Sequence, residues 1–161
     1  MPPKVLEVKI LGLDVLEKKL EAMPDKMSQH VLRVALTKAG QILRAAMAFH
    51  APKDTAFLSE HFNVKGKVKR KGVEGSVFVG PQGGIDYPKN GKYRMLKNRR
   101  GKEYASGRIP VVAVAGFLER GTMKMGKRPF MTQAFDATKK LLLDTIIQGI
   151  KDGIAESERG R

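Results

Sequence analysis

The side chains that could carry out catalysis or bind a metal ion in this sequence are three histidines and one adjacent acid. His30, His50 and His61 lack the i, i+4 or His-x-Glu spacing that would bring two ligands to one metal. Glu60 and His61 could be drawn as a general-base pair, but neighbouring residues on a strand point to opposite faces. No nucleophile or metal-ligand cluster accompanies them. We therefore predict a protein that is not an enzyme and needs no cofactor or metal.

Other kinds of site are disfavoured by what the sequence lacks. The segment Gly80-Pro81-Gln82-Gly83-Gly84 has no Gly-Lys-Ser/Thr ending, so it predicts a turn and no phosphate loop. Cysteine is absent, which excludes disulfides and thiolate metal sites and suits a reducing cytoplasm. No run approaches the roughly 18 apolar residues of a membrane span, and residues 1–4 do not resemble a signal peptide. We expect a protein that is soluble when made and has no membrane partner.

The net charge of +15 favours a polyanionic partner or an acidic protein surface. One basic cluster has lysines at alternate positions, which places them on one face of a strand, and two further basic residues extend it. Its members are Lys65, Lys67, Lys69, Arg70 and Lys71. They could contact a polyanion or an acidic protein partner. They could equally form a solvated strand face, because lysines on a sheet edge discourage aggregation.

A second basic cluster is interleaved with tyrosines and has no acidic member. Basic residues beside aromatic rings can bind a phosphate backbone and stack bases. An equal or better interpretation is an arm that docks on an acidic neighbour, with tyrosines as interface anchors. The residues assigned to this partner-docking arm are Lys89, Lys92, Tyr93, Arg94, Lys97, Arg99, Arg100 and Lys102.

Hydrophobic periodicity predicts the elements that position these clusters. Residues 5–10 alternate as a strand does, and a short helix follows from Asp14. Apolar residues from Asp25 to about Phe49 recur every three, four or seven positions, as in an amphipathic helix, and a second apolar stripe widens its apolar face. Residues 62–70 and 73–79 predict a hairpin with a tight turn at 71–72.

The rest of the chain predicts an arm and two more helices. Residues 81–107 indicate a long loop or an extended hairpin arm. Val111 to Arg120 suits a helix with Gly121 as its left-handed C-cap, and Pro129 suits the first position of the last helix. We predict one α+β domain over 1–156, in which the long and C-terminal helices pack on a small antiparallel sheet. Residues 157–161 are expected to be a disordered tail.

Three motifs follow one another along the chain: Ala51 to Leu58 (first motif), Phe117 to Thr122 (second motif) and Arg128 to Ala134 (third motif). In this order they resemble the tail-completion family of long-tailed bacteriophages, the gene-product-ten-like proteins of Hong Kong 97-type phages. Ala56 and Gln133 depart from the family pattern, which usually has Gly and Pro there. The family-motif residues, expected to be structural, are Pro52, Asp54, Thr55, Leu58, Phe117, Glu119, Gly121, Thr122, Arg128, Pro129 and Phe130.

The resemblance implies an α+β virion protein of the phage neck, assembled in the host cytoplasm. It implies a ring of identical subunits, a hexamer matching the tail, between head-closure proteins and tail-terminator or tail-tube proteins. Genomic DNA would pass through this ring and could touch the strand that carries Lys65, Lys67 and Lys69, called here the lysine strand. The long helix and the last helix are the candidate ring faces, and the arm would reach an adjoining ring.

The alternative function is a basic nucleic-acid-binding module of ribosomal or chromatin type, for which the +15 charge is the main support.

Overall fold

The computed structural model describes residues 13–52, 57–69, 74–86, 94–97, 103–106 and 109–159. The helices are α1 (Leu13–Glu21), α2 (Asp25–His50), α3 (Phe57–Glu60), α4 (Val111–Arg120) and α5 (Phe130–Arg159). The strands are β1 (Phe62–Val68), β2 (Gly75–Pro81), β3 (Arg94–Lys97) and β4 (Glu103–Ser106). Long helices with small antiparallel pairings confirm the predicted α+β class.

Residue contacts divide the chain into two compact units, where the sequence favoured one domain. Unit 1 comprises Met1–Ala39, Gly66–Val77 and Leu143–Arg161. Unit 2 comprises Gly40–Lys65 and Phe78–Leu142. The helices α2 and α5 each contribute one part to unit 1 and another to unit 2.

The start of α2 at Asp25 follows from local chemistry and matches the prediction. The carbonyl of Pro24 accepts hydrogen bonds from the backbone of Met27 at 2.8 Å and of Ser28 at 3.1 Å. The Ser28 hydroxyl, in a buried residue, donates to the carbonyl of Asp25 at 3.1 Å. The helix ends at His50, just before Pro52, because the residue that precedes a proline is disfavoured in the helical region.

The core of unit 1 is formed by α1, α2 and α5. Its buried side chains are Leu20, Val31, Leu32, Ala35, Leu36, Ile150 and Ile154. A Cβ atom built on Gly153 would lie 2.6 Å from Val31 Cγ1, and one on Gly149 would lie 3.0 Å from Ala35 Cβ. These two glycines therefore let the backbone of α5 approach α2 more closely than side chains would allow.

The core of unit 2 gathers α3, α4 and parts of α2, β1 and α5. Its buried side chains are Met47, Ala51, Leu58, Phe62, Val111, Ala115, Phe130 and Ala134. The rings of Phe62 and Phe130 have centroids 6.0 Å apart at a tilt of 59°. The first residue of α5 is thus anchored in the core of unit 2.

Two strand pairs account for the sheet structure among the described residues. The strands β1 and β2 are hydrogen-bonded neighbours, which confirms the predicted strand pair, and the turn predicted at 71–72 lies outside the described residues. The side chains of Val77 and Val79 are partly buried while Phe78 is exposed, as alternation predicts. The strands β3 and β4 pair antiparallel, with Arg94 opposite Ser106 and Lys97 opposite Glu103. Within residues 81–107, the pairing of β3 with β4 agrees with the hairpin interpretation, and residues 87–93 and 98–102 lie outside the described residues.

Several boundaries differ from the sequence prediction. The helix α5 begins at Phe130, one residue after Pro129, whose carbonyl accepts from the backbone of Gln133 at 3.0 Å. It continues to Arg159, so residues 157–159 are helical and not a disordered tail. Two contacts hold the end of α5 against the α1 region. Glu158 forms an ion pair with Lys19 of α1 at 3.7 Å, and the Ser157 hydroxyl lies 3.9 Å from the Sδ atom of Met23, which follows α1. The strand expected at residues 5–10 lies outside the described residues.

None of the described helices is both long enough and apolar enough to cross a lipid bilayer.

Candidate functional site

The carboxylate of Glu119, at the end of α4, caps the start of α5. Its Oε2 accepts a hydrogen bond from the backbone N–H of Met131 at 2.9 Å, and its Oε1 accepts from that of Thr132 at 3.0 Å. The Thr132 hydroxyl also donates to Oε1. The first N–H groups of a helix have no intrahelical partner, and a negative charge there is favourable. Glu119 therefore joins the second motif to the third.

The turn after α4 depends on Gly121. Its φ of 79° and ψ of 176° lie in a region that is essentially restricted to glycine. The structure confirms Gly121 as the C-cap of α4 with a positive φ, but its extended ψ differs from that of the predicted left-handed helical conformation. A Cβ atom here would lie 2.9 Å from the Lys127 nitrogen and 3.0 Å from the Met125 carbonyl oxygen. The glycine of the second motif is therefore required by both conformation and space.

The four residues Thr122 to Met125 form a closed turn, called here the methionine turn. The backbone N–H of Thr122 donates to the Met125 carbonyl at 2.8 Å, and that of Met125 donates back at 3.3 Å. The backbone of Arg128 donates to the Leu118 carbonyl at 2.6 Å, which fixes the base of the segment. Met123 is fully exposed, at 106% of its reference accessibility, and Lys124 is exposed beside it.

A model of the HK97-gp10-like family, described as "Bacteriophage HK97-gp10, putative tail-component", matches residues 14–121, which is more than half of the chain. The chain belongs to the HK97-gp10-like family. The family description names a bacteriophage tail component, and the match confirms the resemblance drawn from the motifs. The match contains the first motif and ends within the second, at Gly121, so the third motif lies beyond it. No curated protein and no solved structure matches the chain significantly.

Most described motif residues serve the internal structure of this HK97-gp10-like protein. Leu58 and Phe130 are buried in unit 2, and Pro52 and Pro129 are half-buried next to helix ends. Arg128 and Thr122 are exposed, and Phe117 is 46% exposed. Asp54, Thr55 and the departing residue Ala56 lie outside the described residues.

The histidines have packing roles or lie at the surface. His61 Nδ1 is 2.7 Å from the Phe57 carbonyl oxygen, and its ring stacks on that of Phe57 at 4.1 Å. The ring of His50 meets that of Phe49 edge-on at 5.4 Å, and His30 is exposed on α2. Across the described ranges, no three His, Asp or Glu residues are grouped so that they could hold a metal ion.

The lysine strand is only partly available for an anionic partner. Lys65 and Lys67 are exposed on β1. Lys69 lies just after the strand and forms an ion pair with Glu74. Arg70 and Lys71 lie outside the described residues. Among the described members of the cluster, Lys65 and Lys67 are therefore the two exposed lysines outside that ion pair.

The partner-docking arm is described only at its two strands. Arg94 and Lys97 stand at the two ends of β3. The other predicted members, Lys89, Lys92, Tyr93, Arg99, Arg100 and Lys102, lie outside the described residues. The antiparallel register shows that the backbone of this segment can form a hairpin.

Unit 1 contains an open groove between α2 and α5, called here the helix groove, with a volume of about 280 Å³. Its apolar lining comes from Met27, Val31 and Val34 of α2 and from the two close-packed glycines of α5. Its acidic lining comes from Asp152 and Glu156 of α5, and His30, Lys38 and Ser157 complete it. The sequence suggested these two helices as separate ring faces, whereas the structure brings residues of both to one groove.

Proposed function

We propose that this protein is a structural subunit of the phage neck, which completes the tail and joins it to the head. In this proposal identical subunits form a ring, a hexamer, around the DNA channel, between the head-closure ring and the tail terminator or tail tube. Family membership supports the tail role. The ring and its place in the neck are our inference from the resemblance and from the exposed surface.

The observation that carries the proposal is the number of large apolar side chains that unit 2 exposes. Phe78, Phe117, Phe135 and Met123 are exposed by 63%, 46%, 49% and 106%, and Phe49 by 72%. A small monomeric protein exposes scattered apolar residues, but large aromatic and methionine side chains are the types enriched in protein interfaces. A subunit that is covered by neighbours on several sides accounts for this surface.

Basic residues supply the remaining contacts in this proposal. Lys65 and Lys67 are candidates for transient contact with DNA in the channel. The arm of β3 and β4 is a candidate for docking on an acidic surface of an adjoining ring. Both contacts would be electrostatic and would weaken as salt is raised.

Removal of the gene from the phage genome tests the proposed function. We expect filled heads and separate tails, with few joined particles, when lysates are viewed by electron microscopy. Supplying the intact protein from a plasmid should restore joined particles. Normal numbers of tailed virions without the protein would contradict the proposal.

A basic nucleic-acid-binding module remains the alternative, favoured by the +15 net charge alone. Such a module would bind duplex DNA or RNA tightly as a small unit and would be missing from purified virions. A ring subunit would be found in virions at a fixed copy number. Quantitative mass spectrometry of purified particles therefore separates the two functions.

A further inference from the structure

We propose that the methionine turn of one subunit docks in the helix groove of the next copy in the ring. In this contact Met123 enters the apolar part of the groove, and Lys124 faces the carboxylates of Asp152 and Glu156. The inference rests on the proposed ring function and specifies the contact that would build the ring.

The methionine turn is a preformed projection. Its two backbone hydrogen bonds, between Thr122 and Met125, close the turn. Gly121 allows its sharp entry, and the bond from Arg128 to the Leu118 carbonyl fixes its base at 2.6 Å. Because this segment is already ordered, docking it costs less conformational entropy than docking a flexible loop.

The side chain at the tip has the properties of an interface anchor. The apolar side chain of Met123 is not buried within its own subunit, since it is 106% exposed. Methionine is unbranched and polarizable, so it fills irregular apolar sites well. The position at the tip of a closed turn presents it to a neighbour without obstruction from adjacent side chains.

The helix groove has the size and apolar lining that such an anchor requires. Its volume of about 280 Å³ exceeds the roughly 150 Å³ of an engineered apolar cavity that holds a benzene molecule. Met27 and Val34 are 38% and 37% exposed on its α2 side. Gly149 and Gly153 pack against Ala35 and Val31 at the base of the groove, and side chains of α5 complete its opposite wall.

The charges that line the helix groove favour a basic segment as its occupant. Residues 122–128 carry Lys124, Lys127 and Arg128 and no carboxylate. The groove carries two carboxylates one helical turn apart, Asp152 and Glu156, against the single amine of Lys38 and the imidazole of His30. In a chain with a net charge of +15, this local acidity is unfavourable for a phosphate backbone and favourable for a basic segment.

The contact joins two different surfaces, because the methionine turn belongs to unit 2 and the helix groove to unit 1. Each copy therefore offers one projection and one groove. An interface between unlike surfaces of identical subunits generates a ring when its rotation closes. In our proposal each copy uses its turn and its groove with two different neighbours, which is the heterologous contact that a ring needs.

Because the chain has no cysteine, disulfide cross-linking can test the contact without background. Particles would be assembled from equal amounts of two singly substituted proteins, Met123→Cys and Val34→Cys, and then oxidised. The matched control pairs Met123→Cys with Val15→Cys, at a position on α1 that is 62% exposed and outside the groove. We expect a linked dimer from the first pair, at several times the yield of the control, although Val15 is the more exposed position.

Charge reversals at the contact and a charged residue at position 123 give two further tests. Lys124→Glu should lower the cross-link yield several-fold, and Asp152→Lys with Glu156→Lys in the other subunit should restore it. Met123→Asp should leave the melting temperature of the purified protein unchanged and prevent its incorporation into particles. Wild-type incorporation of Met123→Asp would overturn the docking.

The count of tailed particles and the cross-link yield report on different claims. Normal tailed particles whose cross-link yield is no higher than the control would overturn the docking and leave the neck function in place. Normal tailed particles in the complete absence of the protein would remove the neck function itself.

Discussion

Glu119 and Met131 are joined by a 2.9 Å hydrogen bond from the backbone N–H of Met131 to the Glu119 carboxylate. The bond links the end of α4 to the first turn of α5 and holds the methionine turn between them. The glutamate of the second motif therefore acts as a helix cap, and its role is architectural.

Replacing Glu119 with alanine should lower the free energy of unfolding by about 1 kcal/mol, the usual cost of losing a helix cap. Glu119→Gln should cost less, because the amide oxygen can still accept one N–H while the favourable charge is lost. Urea denaturation measures the free energy of unfolding of both variants. Glu17→Ala, at an exposed position of α1, is the control and should have little effect. Equal stability of Glu119→Ala and the wild type would show that the cap contributes nothing.

Gly121→Ala should lower the free energy of unfolding by about 1–3 kcal/mol, since a side chain is strained at this backbone conformation. The new Cβ atom would also lie 2.9 Å from the Lys127 backbone nitrogen. Gly126→Ala is a matched control five residues later, where a Cβ atom would meet nothing within 4 Å. If thermal denaturation shows the same loss for both variants, the steric argument at Gly121 fails.

The sequence predicted the elements whose signals are local. Pro24 and Asp25 mark the start of α2, and alternation around Phe78 marks β2, because capping and strand periodicity depend on neighbouring residues. The sign of φ at Gly121 was predictable for the same reason. Its ψ was not, because the following turn sets it through hydrogen bonds between Thr122 and Met125.

The candidate site could not be predicted because it depends on tertiary contacts. Both stripes of α2 are apolar, and only tertiary packing decides that Leu32 and Leu36 are buried next to Gly75 of β2 while Met27 and Val34 line a groove with α5. Gly149 and Gly153 were the available signal, since two glycines four residues apart in a helix indicate a close neighbour. The Glu119 cap spans twelve residues and has no periodic signature.

Gly153→Ala should destabilise unit 1 despite the better helix propensity of alanine. Propensity favours alanine by about 1 kcal/mol. Overpacking against Val31, whose Cγ1 would lie 2.6 Å from the new Cβ, costs about 1–3 kcal/mol because a β-branched side chain in a helix has little freedom to rotate. We therefore expect a net loss of about 1 kcal/mol.

A double-mutant cycle with Val31→Ala isolates this steric effect. Val31→Ala alone should destabilise by leaving a cavity, and Gly153→Ala in that background should be neutral or stabilising because it partly fills the space. Urea denaturation of the four proteins gives the coupling energy. Additive effects would mean that the two helices are not in close contact at this point.

Neutralising the connection between β3 and β4 tests the role of the arm in joining. The triple variant Arg99→Ser, Arg100→Ser, Lys102→Ser keeps both strands and removes three positive charges. If the arm docks on an acidic neighbour, joined particles should become fewer in high salt well before those of the wild type, because the remaining attraction is weaker. The triple variant Lys139→Ser, Lys140→Ser, Lys151→Ser, on exposed positions of α5, is the matched charge control. Equal salt tolerance of the two variants would remove the arm from the joining contact.

Contact between β1 and channel DNA predicts a specific salt dependence. Each lost phosphate contact reduces the slope of log K against log salt by about 0.9, so Lys65→Ala with Lys67→Ala should reduce it by about 2. Lys69→Ala should change the slope by less than Lys65→Ala alone or Lys67→Ala alone, because the Lys69 amine already pairs with Glu74. Fluorescence anisotropy with a short duplex at several salt concentrations measures these slopes. A slope that is unaffected by the double substitution would place the DNA contact elsewhere and leave these two lysines as a solvated strand face.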